Sequence, residues 1–367
     1  MMGDAGWFRT TWDAFAHKMA RSRTEVEMEK TEKSGNASAS SFGWEFQVAA
    51  AITLVLDNIF ELSELRVEGA REDIELTLEN GTVVYAQAKA AASPYNLEKS
   101  KIKAKLKDAL ESLNRAVSGE PKDYKTLTYI TNIPTPIGIG KVSAFEHTER
   151  EFVFQDLDDE SMQVVKDIVS TEGFNKLDLN LLSFHTVPFC GDDERLRYGT
   201  ILKKLGRLLE DISVRATLDW KILDVWRNAF HHNSSEQNIA STLSKNEVVW
   251  PIIVLACEMD VEHEFTDAFS DIEVDEVFER YQKVIDIHSM RYDLVRSVIF
   301  SYRNNGYGNK SDDIQEFINE HWTEFKSMFP DSGCGELELQ TLVKYTLFAI
   351  LRRRNIVGKI SKGLKLK

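Results

Sequence analysis

The stretch "GAREDIELTLENGTVVYAQAKA", residues 69 to 90, decides how the first half of this chain is read. Apolar and polar residues alternate from Asp73 to Leu78, a turn follows at Asn80-Gly81, and alternation resumes through Tyr85, Gln87 and Lys89. Period two predicts two strands of a hairpin, because successive side chains of a strand point to opposite faces. Asp73, Glu75 and Thr77 then share one face, as do Tyr85, Gln87 and Lys89. The loop length decides which faces coincide. A two-residue loop sets Asp73 opposite Ala88 and separates the polar groups. A three-residue loop, Glu79-Asn80-Gly81 with Gly81 left-handed, sets Asp73 opposite Gln87. The second is favoured, because it leaves one face apolar and brings Asp73, Gln87 and Lys89 together on the other.

That trio suits phosphodiester hydrolysis. A carboxylate holds a hard divalent cation, Mg²⁺ or Mn²⁺, which polarises a phosphate and acidifies a bound water. A neighbouring ammonium orients that water and offsets charge developing on phosphorus. Gln87 supplies a neutral amide oxygen, a weaker ligand, so a second acid is wanted. Glu45, on the preceding helix, is the candidate.

The wider sequence fits an intracellular globular chain. At 367 residues it is long for one domain, and 43% hydrophobic content supports ordinary cores. No long apolar run marks a membrane span, and the polar, acidic start argues against a secretory signal. Three scattered cysteines form neither a disulfide framework nor a zinc site, so a cytoplasmic location is expected. A net charge of -14 excludes a general nucleic-acid coat, yet the charge is uneven. Six lysines stand between Lys89 and Lys107 against Glu98 alone, and seven basic residues follow from Arg352. Residues 258 to 276 hold nine acids and no Lys or Arg. Lys99, Lys101, Lys103 and Lys105 are the candidate nucleic-acid contacts.

Along the chain, residues 1–40 read as a short amphipathic helix and a polar linker. Residues 41–215 read as an α/β domain: a helix from about Trp44 to Asn58, a strand near Leu65 to Glu68, the hairpin, a helix over Lys99 to Ala116, and strands over 125–132 and 181–189. Residues 216–367 read as helices, including Leu218 to Phe230, Asp275 to Ser301, Asp312 to Met328 and Leu337 to Arg353. "GIGK" at 138–141 fails the spacing of a phosphate loop.

The ordered set "Gly43-Trp44-Glu45-Phe46-Gln47", "Glu72-Asp73-Ile74", "Gln87-Ala88-Lys89", the lysine-rich helix and "Tyr129-Ile130-Thr131-Asn132" resembles the PD-(D/E)xK nuclease superfamily, in its Gln-x-Lys variant. More narrowly it resembles the effector endonuclease domains of bacterial antiphage systems of the cyclic-oligonucleotide-signalling (CBASS) type, and the nuclease subunit of Lamassu-type systems. The resemblance covers about residues 40 to 215. It implies a restriction-endonuclease-like mixed sheet flanked by helices, followed here by an all-helical region. It implies a Mg²⁺-dependent DNA endonuclease of defence, with Asp73, Glu45 and Gln87 at the metal and Lys89 catalytic. An SMC-like ATPase partner and homo-oligomerisation on activation are further expectations. Gln87 stands where an acid is usual, and the C-terminal half lacks the look of a cyclic-oligonucleotide sensor. Two rival readings are a non-catalytic scaffold that keeps the nuclease fold, and a HEPN-like ribonuclease using the Arg-x4-His spacing of Arg227 and His232.

Overall fold

The computed structural model describes residues 35–118, 123–133, 148–214, 216–238, 240–256, 291–308, 310–329 and 335–366. The expected N-terminal helix, the "GIGK" stretch, the acidic 258–276 segment and the first part of the 275–301 helix lie outside them. The fold is mixed α/β, with a seven-stranded mixed sheet and a helical C-terminal part. Strands β1 (Leu62–Val67), β2 (Ile74–Leu78), β3 (Val83–Lys89), β4 (Tyr124–Thr131), β5 (Arg150–Val153), β6 (Leu182–Thr186) and β7 (Leu243–Ser244) lie in the order β5-β6-β4-β3-β2-β1-β7. The β3–β4 and β4–β6 pairs are parallel and the remaining pairs antiparallel. The β3–β4 crossover runs through α2 (Lys99–Ala116), because parallel neighbours need a long connection.

The hairpin has the three-residue loop. Ile74 pairs with Ala86 and Thr77 with Val83, a register that carries Asp73 opposite Gln87. The Leu78 amide donates to the Thr82 carbonyl at 2.9 Å, and Gly81 sits at φ +85°, where an L side chain is strained. A second glycine is required by space: a Cβ on Gly69 would lie 2.3 Å from Glu75 Oε1. That carboxylate accepts the amides of Arg71 (2.7 Å) and Glu72 (3.2 Å), so Glu75 closes the β1–β2 turn.

Each face of the sheet is covered. Ile74, Leu76, Leu78, Val84 and Ala86 pack against α1 (Gly35–Asn58) in one core, while Val83, Tyr85, Leu127 and Phe184 pack against Leu106, Leu110 and Leu113 of α2 in another. The latter core also takes Val165 and Ile168 of α3 (Asp159–Glu172). The expected apolar and polar faces therefore need correction. With α1 on one face and the crossover helix α2 on the other, β3 is buried on both sides, Gln87 included, and only its last two residues, Ala88 and Lys89, are partly exposed. Helix α1 also begins earlier than expected, at Gly35, so part of the presumed linker is helical and Glu45 is not in a first turn.

Beyond residue 216 come α5 (Asp219–Ser235), α6 (Lys245–Ala256), α7 (Tyr292–Asn304), α8 (Ser311–Phe325) and α9 (Glu336–Gly363); α4 (Gly199–Asp211) precedes them. Packing does not divide at 215. Ile222, Trp226 and Phe230 of α5, Val248 and Ile252 of α6, and Ile360 and Leu364 near the end of the chain join the α1 core, and β7 pairs with the edge of β1. A separate core holds α7, α8 and most of α9, among them Leu294, Phe317 and Phe348. Within the basic run from Arg352, Arg354 is buried, donates to the Leu351 and Gly308 carbonyls, and lies 4.9 Å over the Tyr302 ring, whereas Arg352, Lys359, Lys362 and Lys365 are exposed. Among the described residues, no helix is long and apolar enough to cross a membrane.

Candidate active site

The polar groups gather where β1 and β3 end and β2 begins. Asp73 directly precedes β2, and its Oδ2 accepts the Gln87 side-chain amide and, at 3.0 Å, the Ala88 backbone amide. Register alone creates the first contact, since a directly opposed cross-strand pair meets. Gln87 is 3% exposed, so its amide is a buried fixture of the Asp73 carboxylate. Burial raises the Asp73 pKa to about 6, against the lowering effects of Lys89 and the Ala88 amide; the charge of Glu68 raises it further.

Lys89 is half-buried, two positions beyond Gln87, and acts electrostatically on both Asp73 and Glu72. The end of β4 fixes its backbone. Thr131 Oγ1 donates to the Lys89 carbonyl at 2.6 Å. Asn132 grips Ala91 through both backbone groups, accepting its amide at 2.9 Å and donating to its carbonyl at 2.8 Å. Asn132 also donates to the Phe189 carbonyl at 2.7 Å, tying in the chain that follows β6. The 129–132 run thus anchors the backbone where it leaves Lys89.

Glu45 is not brought to this group. Its carboxylate receives Arg197 Nη1 at 2.7 Å and the Tyr198 hydroxyl at 3.2 Å. Positions two apart on a helix lie about 200° apart, so Glu45 and Gln47 cannot both face the strand ends. Gln47 does. Its amide donates to Glu68 Oε1 at 2.6 Å and to the Asp73 carbonyl at 3.4 Å. Glu68 is therefore the second carboxylate of the cluster, and the sequence reading passed over it. The available signal was an acid directly before Gly69, in the short link that delivers Asp73 to β2. Glu68 stands at φ +55°, a left-handed conformation uncommon outside glycine and one that recurs at functional sites.

A third acid lies beneath. Glu72 is 4% exposed; Ser112 of α2 donates to its Oε2 at 3.2 Å, and its Oε1 is buried without a hydrogen-bond partner. Burial, reinforced by the Asp73 charge, lifts its pKa to about 8, while Ser112 and Lys89 pull the other way.

The α2 lysines separate into kinds. Lys99, Lys101 and Lys103 are exposed along the first turns. Lys105 is a correction to that track, because its ammonium turns inward and donates to the Ala90 carbonyl at 3.0 Å. Burial and then the Lys89 charge lower its pKa. Lys107 is paired with Glu172 at 2.7 Å.

Arg227 and His232 take separate partners. Arg227 pairs with Glu194 and lies 4.6 Å over the Tyr198 ring, while the exposed His232 meets Glu236 at 3.4 Å. Among the described residues, one group has metal-ligand spacing: Asp57, Glu149 and His185. The Lys204 ammonium pairs with Asp57 at 2.6 Å and with Glu149, so it already supplies the positive charge there.

No protein-family model matches the chain, and no curated protein matches it. Among solved structures it is similar to the Cap4 SAVED/CARF-domain containing receptor of Acinetobacter baumannii, at 15% identity and a TM-score of 0.36 over 59% of this chain and 47% of the receptor. That receptor with the cyclic trinucleotide 3'3'3'-cAAA gives 14% and 0.36 over 59% and 45%. The Moraxella osloensis Cap4 receptor gives 16% and 0.35 over 59% and 48%. The chain spans about half the length of these receptors, and a likeness at this level bears on neither activity nor ligand.

Proposed function

We propose that this chain is a divalent-metal-dependent endonuclease, hydrolysing phosphodiester bonds of double-stranded DNA with little sequence preference, on a restriction-endonuclease-like core. The observation that carries the reading is the cluster of Asp73, Gln87, Lys89 and Glu68 where β1 and β3 end and β2 begins. The donor set fits Mg²⁺ or Mn²⁺. Two acids lie together, the Asp73 carboxylate held by the Gln87 amide and the Glu68 carboxylate by the Gln47 amide, and burial, with the Glu68 charge, raises the Asp73 pKa to about 6. Hard cations take such oxygen ligands. When bound, the ion supplies phosphate polarisation and a more acidic water.

The remaining chemistry belongs to the side chains. Gln87 and the Ala88 amide fix the Asp73 carboxylate, so its free oxygen has one direction. The Lys89 ammonium orients the attacking water and offsets charge on the phosphorus oxygens. Lys99, Lys101 and Lys103 receive the DNA backbone, and Lys105 adds a cation near Lys89. In this reading the protein serves antiphage defence, is restrained until activated, and works with an SMC-like ATPase or as a homo-oligomer, as the sequence resemblance implies.

Plasmid incubated with purified protein and Mg²⁺, alone and with its neighbouring gene products, tests the reading. Nicked and linear products should appear, vanish in EDTA, and vanish with Asp73→Ala. A folded Lys89→Ala protein that still protects cells from phage in full would establish the scaffold reading instead.

A further inference from the structure

Arg66 lies in β1 at 4% exposure, and a guanidinium carries its charge wherever it is buried. Its hydrogen bonds run to backbone carbonyls. Nη1 donates to Asn233 and to Ser241, each at 2.8 Å; Nη2 donates to Glu236 at 3.1 Å; Nε donates to Glu68 at 3.3 Å. Two of those carbonyls belong to the C-terminal end of α5 and the residue after it, where a helix leaves acceptors unpaired and favours a cation. Asn233 adds a second fastening. Its Oδ1 accepts the Val67 amide at 2.9 Å and its Nδ2 donates to the Ser241 carbonyl at 3.0 Å.

Two consecutive strand residues, Arg66 and Val67, are thus strapped to Asn233, Glu236 and Ser241 just before the chain turns into the left-handed conformation of Glu68. A backbone conformation of that kind persists only where its surroundings impose it. The Glu68 amide, bonded to the Asp73 carbonyl at 2.7 Å, and its carboxylate, held by Gln47, complete the fixing. We infer that Arg66 and Asn233 are positioning residues, which hold the Glu68 carboxylate beside Asp73 and so couple divalent-cation affinity to the C-terminal end of α5. The inference rests on the metal-dependent reading above. Groups that orient metal ligands change metal affinity by about 10- to 100-fold when removed.

The test is Mg²⁺ binding to the full chain by calorimetry, with circular dichroism and the melting temperature followed alongside. Asn233→Ala removes both side-chain fastenings without stranding a buried charge. Arg66→Lys keeps the charge but cannot span four carbonyls. Each should bind Mg²⁺ about 10-fold more weakly than wild type while folded, and Glu68→Gln should do the same. In the Glu68→Gln background, Asn233→Ala should cost little more, because the strap acts through Glu68. Wild-type affinity in a folded Asn233→Ala protein, or a full further loss in the double variant, overturns the strap alone. Absence of Mg²⁺ binding by the wild type overturns the metal reading and the strap with it.

Discussion

Replacing Glu72 by Gln removes an ionisable group from the most buried acid of the site and keeps its shape and its Ser112 hydrogen bond. Burial and the Asp73 charge raise the Glu72 pKa from the ordinary 4.5 to about 8. The folded protein therefore binds this proton more tightly than the unfolded chain does. The resulting stabilisation is full below pH 4.5 and is lost as the pH rises to about 8. At about 1.4 kcal/mol per pH unit, the whole window is worth roughly 5 kcal/mol, most of it between pH 5 and pH 8. Asp73, raised from 3.8 to about 6, adds a slope of the same sign that ends near pH 6. Urea denaturation in EDTA at intervals from pH 5 to pH 8.5 separates the two. Wild type should lose stability throughout, whereas Glu72→Gln should lose it only below about pH 6 and then run flat. At pH 8 the variant should be the more stable by about 3 to 4 kcal/mol. An unchanged slope from pH 6.5 to pH 8 would refute this account of the buried carboxyl.

Other expectations follow from single features. Lys89→Ala should fold and bind Mg²⁺ yet cleave about 10²- to 10³-fold more slowly; single-turnover kinetics on plasmid measures it, and an unchanged rate removes Lys89 from the chemistry. Glu replacing Lys99, Lys101 and Lys103 together should weaken DNA binding and reduce the log–log salt slope by up to about 3, one phosphate contact per lysine. Fluorescence anisotropy across a salt series reads this, and an unaltered slope moves the DNA path off α2. Gly81→Val should cost about 1 to 2 kcal/mol in urea melts through backbone strain alone, since nothing lies within 4 Å of an added Cβ. Leu76→Ala, fully buried beneath α1, should cost about 2 to 5 kcal/mol.

The sequence by itself determined what short spacings encode. Period-two alternation and a glycine at the third loop position dictate the hairpin register, because a slip by one residue would turn Ile74, Leu76 and Leu78 out of the core. The same local logic yields α2, whose Ile102, Leu106, Leu110 and Leu113 recur at helical spacing and whose exposed lysines fall elsewhere. Tertiary structure decided the rest. Whether Glu45 or Gln47 faces the strand ends depends on how α1 lies across the sheet, and Arg197 with Tyr198 claims Glu45 from an element about 150 residues away. The conformation that sets Glu68 in the site is held by carbonyls 167 to 175 residues beyond Arg66, a pairing with no local pattern to announce it. Burial on both faces of β3 likewise came from two helices, α1 before the hairpin and the crossover helix α2 after it. Short-range periodicity fixes which residues share a face; only the packed chain decides what that face meets, because the partners come from distant segments whose order in space the local pattern does not carry.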